Sequence, residues 1–245
     1  MSGLVTDAPL AAIIEDTARR LTAGAPAPRG LPYLGLESTS GTGSHLLDEL
    51  SAHGIFRKYE LVLDLAGGLG GTGRWLAGRR GCTAVVTAAH PAVATAGAVL
   101  TRRARLRSQV HHVCAGPRAL PFRDGRFTHA WIVESLAELG DVPAALDEVF
   151  RVVRPGGHLA VQELVGDGRE PPGDALQAAG FVDLAIRIVD DPAERAARVV
   201  AARARLQAQL ATTPSLAAIG AQRVALAAAL LDGRLRVAQL VARRP

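Results

Sequence analysis

Short apolar runs alternate with segments of helical periodicity along most of this chain. The apolar runs predict strands at about residues 60–65, 83–87, 110–114, 128–133 and 159–164, and the periodic segments between them predict helices at 71–79, 91–105 and 143–153. Such alternation indicates an open α/β sheet of parallel strands with right-handed crossovers. Two later apolar runs, 181–189 and 235–242, predict a terminal pair of strands.

Further helices are predicted outside this alternating core. Two of them, at about 8–21 and 44–54, precede the first strand, and two Ala-rich ones, at 192–211 and 214–232, separate the last two strands. The pattern therefore predicts an N-terminal helical cap over residues 1–55 and a sheet domain over 56–245, with a helical insertion at about 192–232.

The first strand ends in a turn built from small residues. The apolar run Leu61–Leu63 is followed by Asp64 and then by the sequence LAGGLGG at 65–71. Glycine adopts positive φ at no steric cost and lets the backbone approach a ligand closely. A glycine-rich turn between a buried strand and a helix favours a nucleotide site at the strand end, with a purely structural turn as the alternative.

Three motifs resemble those of one enzyme family. The segment LDLAGGLGGTGRWLA at 63–77 resembles motif I of the class I S-adenosylmethionine-dependent methyltransferases, in the form LDLGCGLGGPARYLA used by the sarcosine, tocopherol and natural-product branch. The segments LPFRDGRF at 120–127 and VFRVVRPGGHL at 149–159 resemble the LPFPDGSFD and EIARVLRPGGRL segments of that family. The resemblance implies a Rossmann-like sheet of five parallel strands plus a reversed terminal pair, S-adenosylmethionine as the cofactor and a small-molecule substrate.

The same resemblance implies which residues contact the cofactor. They are Asp64, Ala66, Gly67, Gly68, Gly70, Ala88, Ala89, Gly116, Pro117 and Trp131.

Several acids of the family pattern are replaced in this chain. Ala88 stands where the family has an acid for the ribose hydroxyls, Gly116 where it has an acid for the adenine amino group, and Thr128 where an Asp is usual. Each lost charge-assisted hydrogen bond costs about 1.5–3 kcal/mol. Two interpretations remain open: backbone contacts and an apolar clamp by Ala89 and Leu120 retain the cofactor, or the fold has lost it and serves as a non-catalytic partner or in a different reaction.

Methyl transfer needs an in-line approach and sometimes a base. The candidate catalytic side chains are Glu134 and Glu138 after the fourth strand and His45 in the N-terminal cap, each with a solvated or capping role as the alternative. Glu163, after the fifth strand, is a further candidate. His111 and His112 lie on the third strand without further ligands at suitable spacing, so no metal site is expected.

Composition and charge restrict the remaining function classes. The formal charge is +5, but the only arginine cluster, over 102–107, lies at a helix end, where the helix dipole favours cations, and no aromatic residues accompany it. A nucleic-acid partner is therefore disfavoured. Cys82 and Cys114 form no metal or redox motif and are expected to be free buried thiols of a cytoplasmic protein. The N-terminus does not resemble a signal peptide, and the apolar stretch at 216–231 predicts a half-buried helix, so no membrane partner is expected.

Overall fold

A computed structural model describes residues 9–22, 33, 44–51, 54–166, 168–189, 225, 228–230 and 232–245. The helices are α1 (Pro9–Thr22), α2 (Ser44–Ser51), α3 (Gly71–Arg80), α4 (Pro91–Arg103), α5 (Val142–Val152) and α6 (Gly173–Ala178), with a 3-10 turn at Leu136–Glu138. The strands are β1 (Leu61–Asp64), β2 (Thr83–Ala88), β3 (Val110–Cys114), β4 (Phe127–Val133), β5 (Val153–Val165), β6 (Val182–Ile188) and β7 (Arg236–Arg243).

The seven strands form one sheet in the order β3-β2-β1-β4-β5-β7-β6. Strands β1 to β5 are parallel, while β7 lies between β5 and β6 and is antiparallel to both. The predicted fold class is therefore confirmed, including the reversal at the end of the chain. Because β1 is central, the turn that follows it lies in the middle of the carboxyl edge, where parallel α/β sheets bind ligands.

Both faces of the central strands are covered, as their continuous apolar runs predict. One face packs against α5 in a core that includes Leu63, Ile132 and Leu146. The other face packs against α2 and α3, where Trp131 lies between Trp75 and Phe56. Burial on both faces fixes the positions of β1 and β4 in the sheet. It therefore also fixes the position of the turn that follows β1.

The N-terminal segment packs against the outer side of the sheet domain. Ile14 of α1 and Tyr33 lie in a buried cluster with Leu100 of α4, and the Tyr33 hydroxyl donates a hydrogen bond of 2.7 Å to the Leu100 carbonyl. The predicted insertion helices at 192–211 and 214–232 fall largely outside the described residues. The division into a cap and a sheet domain therefore stays a prediction.

The segment RPGG at 154–157 comes just after the end of α5 and belongs to a strand that is longer than predicted. Strand β5 begins directly after α5, at Val153, and includes this segment. The Gly156 N–H donates to the Arg244 carbonyl at 2.8 Å, and the Arg244 N–H donates to the Gly157 carbonyl at 2.8 Å. Pairing with the last residues of the chain thus extends the strand backwards.

Candidate functional site

The glycine turn is held against the neighbouring strand by one threonine. The Ala66 N–H donates to the Thr87 hydroxyl at 3.0 Å, and the Gly68 N–H donates to the Thr87 carbonyl at 3.3 Å. Ala66, Gly68 and Gly70 have φ values of 53°, 57° and 80°. These are left-handed conformations, which cost an L-residue about 1–2 kcal/mol, so only Ala66 is strained here.

Asp64 is buried beneath this turn and satisfies the start of α3. Its Oδ2 accepts a hydrogen bond of 2.7 Å from the Thr72 hydroxyl, and the Gly73 backbone N–H also bonds to the carboxylate. The residue before α3, Gly70, has no side chain to cap the helix, so Asp64 supplies the acceptor for the first turn of α3.

The Asp64 carboxyl carries unused hydrogen-bonding capacity. Its Oδ1 is buried and accepts no hydrogen bond from the described residues. The indole of Trp131 lies beside it and, like Thr72, favours the charged form, but burial outweighs both and raises the pKa of Asp64 to about 7. The free valence of this buried oxygen is thus directed at the Trp131 indole, whose Nε1 also has no partner among the described residues.

A second buried group supports the turn from the outer side. Arg74 is fully buried, and its Nη1 donates to the Leu69 carbonyl at 2.8 Å and to the Thr101 hydroxyl at 3.0 Å. The same hydroxyl lies 2.8 Å from Nε2 of His112. A Cβ at Gly70 would lie 2.5 Å from Cε1 of that histidine, so glycine is required there. The members of this group come from three separate elements, so no local pattern in the sequence marks it.

Burial and the nearby Arg74 charge lower the pKa of His112 to about 3. The imidazole is therefore neutral at physiological pH and acts as a packing and hydrogen-bonding group under the turn.

An open cavity of about 1020 Å³ lies at the same edge of the sheet. It is lined by Ala89 after β2, by residues 116–119 after β3 and by residues 139–143 between the 3-10 turn and α5. A Cβ at Gly116 would meet nothing within 4 Å, so the cavity is not filled at that point. His90 and Arg118, the side chains large enough to fill the strand ends, are both exposed.

The structure brings the predicted cofactor residues to one edge of the sheet but in three settings. Ala89, Gly116 and Pro117 line the cavity. Asp64, Ala66, Gly67, Gly68 and Gly70 form the turn and its support. Ala88 is buried at the end of β2, and Trp131 is fully buried in the core.

Two side chains from the sequence interpretation have other tasks. Thr128 exchanges hydrogen bonds with both backbone groups of Leu61, at the start of β1, so its replacement of an acid lies at the opposite edge of the sheet from the turn. Leu120 is buried in the α5-side core and does not line the cavity.

The catalytic candidates differ in how firmly they are held. Glu134 follows β4 with φ of 51°, and its Oε1 accepts a hydrogen bond of 3.0 Å from Gln162. Glu163 instead lies inside β5, where its two oxygens accept the N–H groups of Leu136 and Leu164. Burial raises the pKa of Glu163, and both bonds serve the local backbone.

The remaining two candidates are less constrained. Glu138 is an exposed residue of the 3-10 turn, although partial burial of its carboxyl raises the pKa of that group. His45 lies in α2, with its side chain outside the described part of the chain.

Among the described residues, no group of three or more His, Cys, Asp or Glu side chains could hold a metal ion, and no helix is long and apolar enough to cross a bilayer.

Cys82 is buried as expected, and burial raises its pKa to about 12. Cys114 is exposed, contrary to expectation, because it ends the edge strand β3.

The central part of the chain matches a family of known proteins. Residues 63–161 match the family described as "Methyltransferase domain". The chain is 32% identical over 112 residues to methyltransferase GfsG of Streptomyces halstedii, covering 44% of this chain and 38% of that protein. It is 34% identical over 128 residues to the ubiquinone/menaquinone biosynthesis C-methyltransferase UbiE of Cronobacter sakazakii, covering 51% of each. The matched segment thus spans about half or less of these relatives.

The solved structures extend the likeness over the whole fold. The geranyl diphosphate C-methyltransferase of Streptomyces coelicolor superposes with a TM-score of 0.62 and 17% identity, covering 98% of this chain and 100% of that one. Its crystal contained S-adenosyl-L-homocysteine. The chain therefore has the fold of these methyltransferases, and its residues 63–161 match a methyltransferase domain family.

Proposed function

We propose that this protein transfers a methyl group from S-adenosylmethionine to a small molecule. The observation that carries the proposal is the glycine turn, which lies over a buried, half-satisfied Asp64 and beside an open cavity at the carboxyl edge of the sheet. The matched relatives are methyltransferases by name, which favours a catalytic protein over a non-catalytic one.

The residues present suit the cofactor. The turn from Ala66 to Gly70 offers close backbone approach, and Asp64 offers a buried acceptor for an ammonium group. The cavity between Ala89, Gly116 and Pro117 offers apolar walls for a purine ring. When bound, S-adenosylmethionine supplies an electrophilic methyl group on a sulfonium.

Glu134 is the best-placed side chain to orient a substrate at this edge. A non-glycine residue at positive φ costs about 1–3 kcal/mol, and such strain is concentrated at functional sites. The side-chain amide of Gln162 donates to the Glu134 carboxylate. The backbone carbonyl of Gln162 accepts the Glu134 backbone N–H at 2.7 Å. Gln239 donates in turn to Gln162 at 3.1 Å. A carboxylate held in this way positions a hydroxyl or amine and accepts its proton.

Calorimetric titration with S-adenosylmethionine and S-adenosylhomocysteine tests the proposal. Binding of both in the micromolar range is expected, and no heat from either ligand at millimolar concentration would refute the proposal.

A matched pair of variants distinguishes a specific effect on the glycine turn from a general effect of backbone strain. Gly68→Ala and Gly125→Ala both place alanine at a φ near 60° and should lose similar stability, but only Gly68→Ala should weaken ligand binding.

A further inference from the structure

The cavity offers one side-chain acceptor. Of the ten residues that line it, Asp141 alone has a side chain that accepts hydrogen bonds. Arg118 also lines the cavity, but its side chain only donates hydrogen bonds. The other eight are alanine, glycine, proline, valine or leucine.

An adenosyl ligand brings donors that need such an acceptor. The 6-amino group of adenine and the two ribose hydroxyls are donors, and a donor that is buried without a partner costs about 1–3 kcal/mol. Dinucleotide-binding α/β folds meet the ribose with a carboxylate about 20 residues after the glycine turn. In this chain the end of β2 carries the methyl group of Ala88, and Gly116 after β3 carries no side chain.

Asp141 is held in place by the helix that it starts. It is the N-cap of α5, and its Oδ1 accepts a hydrogen bond of 3.1 Å from the Ala144 N–H. One such bond uses part of the capacity of a carboxylate, which can accept about four hydrogen bonds over its two oxygens. Because the capping bond fixes the side-chain rotamer, the second oxygen is available to a ligand at little further cost in entropy.

We propose that Asp141 is the adenosine-recognition residue of this protein, accepting a donor of the adenosyl group in the cavity that Asp141 lines together with residues 116–119. The inference rests on the proposed function. It assigns a second task to a side chain that the fold already needs as a cap, and it explains how the site operates without acids at positions 88 and 116.

The two tasks can be separated by one substitution. Serine caps a helix about as well as aspartate, so Asp141→Ser keeps the fold while it removes the carboxylate. We expect the dissociation constant for S-adenosylhomocysteine to rise roughly ten- to hundredfold, with the melting temperature changed by no more than about 2 °C. Asp147→Ser, on an exposed position of the same helix, is the matched control and should leave the dissociation constant unchanged.

Modified ligands identify the donor. S-Inosylhomocysteine lacks the 6-amino group, and the 2′-deoxy analogue of S-adenosylhomocysteine lacks one ribose hydroxyl. Binding to the unsubstituted protein should weaken about tenfold for one of the two, and that loss should vanish in Asp141→Ser.

Equal affinity of Asp141→Ser and the unsubstituted protein for S-adenosylhomocysteine would overturn this inference alone and leave the proposed function intact. A ligand penalty that persists in Asp141→Ser would also overturn it. If the unsubstituted protein binds neither S-adenosylmethionine nor S-adenosylhomocysteine, the proposed function and the inference both fail.

Discussion

The carboxylate of Asp64 occupies the space into which a side chain at position 67 would project. A Cβ built on Gly67 would lie 2.5 Å from Oδ2 of Asp64 and 2.7 Å from its Oδ1. Glycine is therefore required at 67 for contact with the acid, and not for the left-handed backbone conformation that Gly68 and Gly70 adopt. The turn and the acid form one packed unit.

Substitution of Gly67 tests this packing. Gly67→Ala should lower the free energy of unfolding by about 1–3 kcal/mol, because the methyl group must displace a buried carboxylate. It should also weaken S-adenosylhomocysteine binding by displacing the turn. Gly116→Ala is the control for stability, since its Cβ would meet nothing within 4 Å, and should stay within about 0.5 kcal/mol. Urea denaturation of both variants measures the difference, and equal effects would contradict the packing argument.

The free energy of unfolding should fall as pH rises, because Asp64 loses its proton. Its pKa is about 7 in the folded protein, against 3.8 for an unburied aspartate. Between these values the folded protein retains a proton that the unfolded chain has released, so the contribution is fully present below about pH 4 and is lost as pH rises through about 7. Its upper limit is about 4 kcal/mol.

The measurement is urea denaturation at several pH values between 4 and 8, for the unsubstituted protein and for Asp64→Asn. The asparagine variant lacks the titrating group, so the unsubstituted protein should lose stability relative to it across this range. Parallel pH profiles for the two proteins would show that Asp64 is ionised throughout. Asp147→Asn, at an exposed position of α5, controls for a general charge effect.

Local patterns predicted the strands and the turn correctly because they depend on residues close together in sequence. Periodicity identified every described strand, and the spacing of glycines after Asp64 identified the edge at which the cavity opens. Positions that depend on distant partners were not predictable in this way. Strand β5 starts early because Gly156 pairs with Arg244, 88 residues later.

The same limit applies to the site. Asp141 and Ala89 line one cavity although 52 positions separate them, since parallel strands bring their carboxyl-end loops together. A search for acids near Ala88 in sequence therefore could not find Asp141. Thr128 stands where the family pattern usually has an Asp, and the structure places it at the far edge of the sheet beside Leu61.

Ala66 carries strain that glycine would relieve. Its φ of 53° costs an L-residue about 1–2 kcal/mol, and glycine adopts this conformation freely, at the expense of greater entropy in the unfolded chain. Ala66→Gly should therefore raise the free energy of unfolding by about 1 kcal/mol. Ala98→Gly, at an exposed position inside α4, should lower it by about 1 kcal/mol. Thermal and urea unfolding of both variants provide the comparison, and a loss of stability in Ala66→Gly would mean that the methyl group at 66 contributes packing that outweighs its strain.

Restoring an acid at the end of β2 should strengthen cofactor binding. Ala88 is 5% exposed and directly precedes the cavity wall at Ala89, so Ala88→Asp places a carboxylate beside the position where α/β folds hold the ribose. A charge-assisted hydrogen bond is worth about 1.5–3 kcal/mol, which corresponds to a dissociation constant lowered roughly ten- to hundredfold. S-Adenosylhomocysteine is the appropriate ligand because its sulfur is uncharged, so a gain cannot come from attraction to a sulfonium. Ala98→Asp adds the same charge at an exposed position of α4 outside the cavity and should leave the affinity within about threefold. A tightening confined to Ala88→Asp would locate the ribose at the end of β2, whereas an unchanged constant would show that the ribose lies elsewhere along the edge of the sheet.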